Sequence, residues 1–187
     1  MIIIDSQSPS LEEAIAGSEI PGEIREILAL ITVKHLSFDG EIHQGQMVIH
    51  KELADEVSAL FVRLLGVRFP IYSVIPVSVF GWSDEASMAA NNTSAFNIRR
   101  IAGTDRFSMH SYGWAIDINP MQNPCFDYRV GTSEPTDASY EKAIPGTLSE
   151  GSPAVWLFRN LGWVWGGDWT SLKDYMHFEK RLDGARS

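Results

Sequence analysis

Apolar and polar positions divide this chain into short elements. Leu53, Val57, Leu60, Phe61, Leu64 and Leu65 recur at offsets of 0, 4, 7, 8, 11 and 12, a single apolar stripe on a helix that ends near Gly66. Just before it, residues 30–50 carry β-branched residues around Phe38-Asp39-Gly40, with Gln46-Met47-Val48-Ile49 as the return strand, which predicts a hairpin. Residues 71–80, rich in Ile and Val, read as a buried strand, and residues 96–101 and 114–118 as two more. A helix over 153–160 and a strand over 175–179 close the pattern. Residues 82–95 are polar and irregular, with Asp84, Ser87, Asn91, Asn92 and Thr93, and form either a slack or a functional loop. Residues 121–152 hold Pro124, Gly131, Pro135, Pro145, Gly146 and Gly151 and read as a long surface excursion. The first 22 residues, with a short Leu11-Glu12-Glu13-Ala14 helix broken at Gly17 and Pro21-Gly22, form an N-terminal arm, leaving 23–187 as one domain. Strands and helices mixed without a βαβ rhythm indicate the α+β class.

Composition narrows the function classes. At 187 residues the chain is long enough for one self-supporting domain, and 44% hydrophobic with 21% charged residues is an ordinary globular balance. Wholly apolar runs such as Ile27-Leu28-Ala29-Leu30-Ile31 fall far below the ~20 residues that span a bilayer. Met1-Ile2-Ile3-Ile4-Asp5 has no positive n-region, so no secretory signal is visible. A net charge of −9 argues against a nucleic-acid surface. The single cysteine, Cys125, excludes an internal disulfide and any multi-cysteine zinc site. Chemistry must therefore come from His, Asp, Glu or Ser.

His-Glu-x-x-His, phosphate-binding and dinucleotide-binding glycine motifs and Gly-x-Ser-x-Gly are all missing. Ser139-Tyr140-Glu141-Lys142 matches Ser-x-x-Lys of penicillin-binding serine enzymes but lacks the motifs that should follow it. Two segments stand out. In Ser108-Met109-His110-Ser111-Tyr112-Gly113-Trp114-Ala115-Ile116-Asp117, Gly113 permits a turn after His110, and Asp117 shares a strand face with the small Ala115. In Asp174-Tyr175-Met176-His177-Phe178-Glu179, a carboxylate precedes a histidine by three residues. Two imidazoles and one carboxylate suit a zinc triad with an open fourth position, the other carboxylate acting as general base. The same residues also suit structural histidines and capping aspartates.

Taken together, Ser-x-His-x-x-Gly-x-Ala-x-Asp followed by Asp-x-x-His-Phe resembles the zinc D-Ala-D-Ala carboxypeptidase and L-Ala–D-Glu endopeptidase family. That family shares the hedgehog/DD-peptidase fold and includes phage endolysins. Residues 87–99, 116–120 and 162–169 extend the resemblance to a bacterial and phage branch, over roughly residues 39–180. It implies an α+β fold with an antiparallel sheet flanked by helices, and a zinc ion (Zn2+) held by His110, Asp117 and His177. It further implies catalysis by Asp174, a substrate-binding Ser108 beside the first ligand, and Arg99 as the substrate-binding and oxyanion-stabilising arginine, with Arg100 alternating to the other face. Asp rather than Glu at 174 leans toward the endopeptidase branch. The implied reaction is hydrolysis of peptidoglycan stem peptides by a metal-activated water, at the L-Ala–D-Glu or the D-Ala–D-Ala bond. The alternative is a zinc-containing module of the same fold that binds wall peptide or protein without catalysis. The implied site of action is the cell wall or periplasm, reached through a removed signal or phage-type release. Bond specificity is expected to lie in 82–95 and 121–152. His35, His43 and His50 read as structural or surface residues, most of the six Trp as core, and Asn92-Thr93-Ser94 as a formal glycosylation sequon only.

Overall fold

The computed structural model describes residues 1–101 and 103–181. The chain opens with strand β1 (Ile2–Ile4) and the short helices α1 (Leu11–Ala14) and α2 (Gly22–Arg25). Ser10 caps α1 by accepting a hydrogen bond from the Glu13 N–H. The expected hairpin follows as β2 (Leu28–Leu36) and β3 (Ile42–His50), antiparallel with Leu36 opposite Ile42. β1 adds to β3 in parallel, Ile2 opposite Ile42. The stripe read from sequence is helix α3 (Ala54–Gly66), whose Val57, Leu60, Phe61 and Leu64 are buried against Val33, Met47 and Ile49 of the hairpin. Ala14 and Ile15 pack with Leu28, Val48 and Phe96 in a second apolar cluster, so the first 22 residues lie on the hairpin.

Past α3 the structure departs from the sequence pattern in three places. Residues 71–80 are not one strand. Pro70 and Pro76 withhold ladder donors, leaving only β4 (Ser73–Val74) before a 3-10 turn at Val77–Phe80. Residues 82–95 are not an irregular loop but contain α4 (Asp84–Ala89), capped by Ser83, and β5 (Asn92–Thr93), which pairs in parallel with β4. Two acids in the first turn after a serine are the signal that was there to be read. Residues 96–101 form no strand, only an isolated antiparallel bridge from Arg100 to Phe107, because their other hydrogen bonds go to β3 and to a turn. Phe96 N–H donates to Val48 O at 3.0 Å, Asn97 N–H to His110 O at 3.3 Å, and Arg99 N–H to Ser111 Oγ at 2.9 Å.

The second half supplies β6 (Ala115–Asp117), then the hairpin β7 (Cys125–Asp127) and β8 (Thr132–Glu134) inside the expected excursion. Helix α5 (Pro153–Asn160) starts as predicted, with Ser152 accepting from Ala154 N–H and Pro153 at the first helical position. β9 (Val164–Trp165), β10 (Leu172–Asp174) and β11 (His177–Glu179) complete the chain. The described residues form mixed α and β structure with several small sheets, ordered β1-β3-β2, β10-β7-β8, β6-β11-β9 and β4-β5. Two of these pairings are parallel, so the expected antiparallel sheet is not the whole pattern.

The excursion is anchored by two buried asparagines. Asn119 accepts from Tyr72 N–H at 2.9 Å and donates to Pro70 O at 2.8 Å and Gly146 O at 3.2 Å. Asn123 donates to Gly146 O at 3.0 Å and accepts from Leu148 N–H at 2.6 Å. Asn119→Ala strands two backbone groups, the Tyr72 N–H and the Pro70 carbonyl, while Gly146 O keeps Asn123. At about 1–3 kcal/mol for each unsatisfied group, urea unfolding should show a loss of about 2 kcal/mol or more.

Candidate metal centre

The ladder between β6 and β11 builds the site. Its register sets His177 opposite Asp117, Phe178 opposite Ile116 and Glu179 opposite Ala115. Because side chains alternate, Ile116 and Phe178 go to the core and the other four share one face. Ser94 flanks β6 on its other side, exchanging hydrogen bonds with Asp117 at 3.1 and 2.9 Å. The next carbonyl, Ala95 O, accepts from His110 Nδ1 at 2.6 Å. His110 sits in a 3-10 turn, Met109–Tyr112, that ends at Gly113 with φ +65°. A Cβ on Gly113 would lie 2.4 Å from His50 N, so only glycine lets this turn rest on the end of β3.

His110, Asp117 and His177 therefore meet, all buried, with one ligand atom from each within 4.8 Å of the others. His110 Nε2 lies 3.2 Å from Asp117 Oδ2 and 3.2 Å from His177 Nδ1, and His177 Nδ1 lies 3.0 Å from Asp117 Oδ1. Metal–ligand distances of about 2.0–2.1 Å in a tetrahedral zinc site separate donor atoms by about 3.3 Å, so this set fits the ion. The outward nitrogen of each ring is also engaged. His110 uses the Ala95 carbonyl, and His177 Nε2 lies 3.3 Å from Glu179 Oε2, which leaves the two facing nitrogens as lone-pair donors. Burial works against the Asp117 charge, but the His110 and His177 imidazoles hold its carboxyl well below the usual range. Burial likewise opposes charging His177, yet the hydrogen bonds to Asp117 and Glu179 push it up to about 10.

Glu179 was missed at the sequence level. The signal was its position two residues after His177 on a strand, opposite the small Ala115, which leaves it room. Glu179→Ala should weaken zinc binding about 10–100-fold while the ion still binds, a competition titration with a metallochromic chelator being the measurement.

Asp174 ends β10, directly opposite Cys125 of β7. One of its oxygens, Oδ1, is buried without a hydrogen-bond partner. Burial pushes its carboxyl up to about 6, with His177 opposing and Asp117 adding to the rise. Gly166 makes room for it, since a Cβ there would come within 2.5 Å of Asp174 O and 3.0 Å of Asp174 Cβ. Arg99 and Arg100 part as expected. Arg99 Nε lies 3.0 Å from Asp84 Oδ2, and its charge reaches Asp174, whereas Arg100 turns away over the Phe107 ring at 5.0 Å. Ser108 is 6% exposed and its hydroxyl caps the His110 turn, accepting from His110 N–H at 3.3 Å. Asp84 also borders a cleft of about 340 Å³ between α4 and the β7–β8 hairpin, lined by Glu85, Met88, Glu134, Pro135 and Thr136.

The other singled-out residues lie apart. Asn92 is 1% exposed, with its amide bonded to both backbone groups of Ile75. Trp114, Trp163 and Trp165 are core, while Trp156 is exposed and the Trp169 ring lies 5.4 Å from that of His177. His50 accepts from Glu52 N–H at the start of the next turn. Among the described residues no helix is long and apolar enough to cross a membrane. No solved structure matches the chain. Residues 102–180 match the family model described as D-alanyl-D-alanine carboxypeptidase, which bears out the resemblance carried by the two motifs. The match takes in His110, Asp117, Asp174 and His177 and begins after Arg99, short of the wider reach from residue 39.

Proposed function

From the match of residues 102–180 to the family model described as D-alanyl-D-alanine carboxypeptidase, we propose that this protein is a zinc-dependent peptidase acting on peptidoglycan stem peptides. The observation that carries the reading is the approach of His110, Asp117 and His177 to 3.0–3.2 Å beside a carboxylate oxygen of Asp174 that nothing else engages. A zinc ion held by the three would supply Lewis acidity toward the scissile carbonyl and an acidified water. Asp174, buried enough to hold a proton near neutral pH, takes one from the attacking water and returns it to the leaving amine. Arg99, kept in place by Asp84, offers a cation to a substrate carboxylate or to the oxyanion. Glu179 and the Ala95 carbonyl fix the two rings. The cleft beside Asp84, walled by residues from 82–95 and 121–152, is where substrate side chains would be sorted. Within the family reading the fold is hedgehog/DD-peptidase-like, and Asp174 favours the L-Ala–D-Glu bond over D-Ala–D-Ala. The substrate puts the enzyme at the cell wall or in the periplasm, by a removed signal or phage-type release.

The test is incubation of zinc-loaded protein with a purified stem pentapeptide, products identified by mass spectrometry. Chelator-sensitive loss of the terminal D-Ala establishes the carboxypeptidase, and release of L-Ala the endopeptidase. Intact peptide with zinc bound would overturn catalysis and leave a zinc-containing binding module.

A further inference from the structure

A second group of titratable side chains lies at the opposite end of β3 from the His110 turn. Asp5, just past β1, faces two imidazoles at once: Oδ2 lies 2.9 Å from His35 Nε2, and Oδ1 lies 2.7 Å from His43 Nδ1. The remaining nitrogen of each ring also meets an oxygen acceptor. His35 Nδ1 lies 3.0 Å from Ile71 O, and His43 Nε2 lies 3.0 Å from Asp39 Oδ2. A neutral imidazole has one N–H and one lone pair, so both contacts of His43, each to a carboxylate oxygen, are hydrogen bonds only when that ring carries two protons. The arrangement is sheltered, with side-chain exposures of 1% for His35, 8% for Asp5 and 12% for His43. β1 contributes Asp5, β2 His35, β3 His43 and the hairpin turn Asp39, while residues 70–72 contribute the Ile71 carbonyl and the half-exposed Tyr72. Lys34 and Glu41, the neighbouring charges along the hairpin, are exposed.

We propose that Asp5, His35 and His43 form a proton-operated latch, closed while His43 is doubly protonated between its two carboxylates, that fastens the N-terminal segment to the hairpin. The segment it fastens covers the back of the metal centre. Ala14 and Ile15 bury Phe96, Ser78 Oγ donates to Ala14 O at 2.6 Å, and Trp82 Nε1 donates to Ala16 O at 3.0 Å. Phe96 directly follows Ala95, whose carbonyl holds His110. Burial opposes the charges, but the Asp5 and Asp39 carboxylates hold His43 above its ordinary 6.5, and the two imidazoles hold Asp5 below its ordinary 3.8. The His43 contribution is therefore complete below 6.5 and lost as pH rises through its raised value. The Asp5 contribution is present above 3.8 and lost as pH falls. The latch is closed in the mildly acidic range and opens toward alkaline pH.

Hydrogen exchange tests this without reference to any peptidase activity. The Asp5 N–H donates to Gln44 O at 2.9 Å and reports on the latch, and the Ile49 amide of β3 serves as control. Between about pH 5.5 and about pH 8.5, spanning imidazole titration, protection at Asp5 should fall about tenfold for each pKa unit separating latched from free imidazole, after correction for intrinsic exchange. Protection at Ile49 should hold. Asp5→Asn should give low protection at every pH, and His43→Gln, at a less buried position, should do the same if Asp5→Asn fails to fold. A flat wild-type profile, or a variant that keeps the wild-type pH step, overturns the latch.

Discussion

Asp174→Ala is expected to bind one zinc ion per chain and to hydrolyse stem peptide about 10²–10⁴-fold more slowly than the parent protein, the range that a positioned general acid–base contributes. The two halves of this result rest on different observations. Zinc is kept because the three ligand atoms come from His110, Asp117 and His177, held by the β6–β11 register and by Ala95, and none of those supports involves Asp174. Turnover is expected to fall because Asp174 Oδ1, a buried acceptor with nothing bound to it, is the group proposed to take the proton of the attacking water. The measurement is zinc stoichiometry alongside single-turnover hydrolysis. Full activity would remove Asp174 from the mechanism, and loss of zinc together with activity would make it a structural part of the metal site.

Stripping the metal should abolish hydrolysis and also lower thermal stability, a readout that needs no substrate. Without a cation, two imidazole nitrogens and two carboxylate oxygens crowd to 3.0–3.2 Å and must be held by protons instead. Zinc at 100 times its Kd stabilises the native state by about 2.7 kcal/mol. For a chain of this size that raises Tm by roughly 5–10 °C. Readdition of zinc should restore both Tm and hydrolysis, and Asp117→Ala should abolish the zinc-dependent rise. Equal melting with and without zinc would mean that these three residues hold no ion.

The site was more legible than the scaffold. His110, Asp117, Asp174 and His177 could be picked out from two short segments, and the family resemblance, not spacing alone, set them apart from structural histidines and capping aspartates; the fold brings His110, Asp117 and His177 together. Glu179 could not, because a glutamate two residues past a histidine is common until the partner strand shows that Ala115 leaves it space. The hairpin, α3 and α5 announced themselves through periodicity and caps. The strands expected over 71–80 and 96–101 failed where prolines removed donors, or where a turn, through Ser111 and the His110 carbonyl, took the hydrogen bonds a neighbouring strand would have used. His35 and His43 looked like ordinary surface or structural histidines because Asp5, their common partner, lies 30 and 38 residues away from them in sequence.

The resting of the His110 turn on the end of β3 bears on how the chain can be divided. A fragment beginning at residue 102 would carry all four motif residues and the whole length that the family signature recognises. It would lack His50, which donates to Gly113 O, and Ala95, which holds the His110 ring. It would also bare Trp114, Ile116 and Phe178, whose apolar neighbours include Met47, Ile49 and the α3 face. The recognisable signature and the smallest severable piece are thus different lengths of the same polypeptide: exchanging the motif-bearing end between relatives requires carrying the hairpin with it.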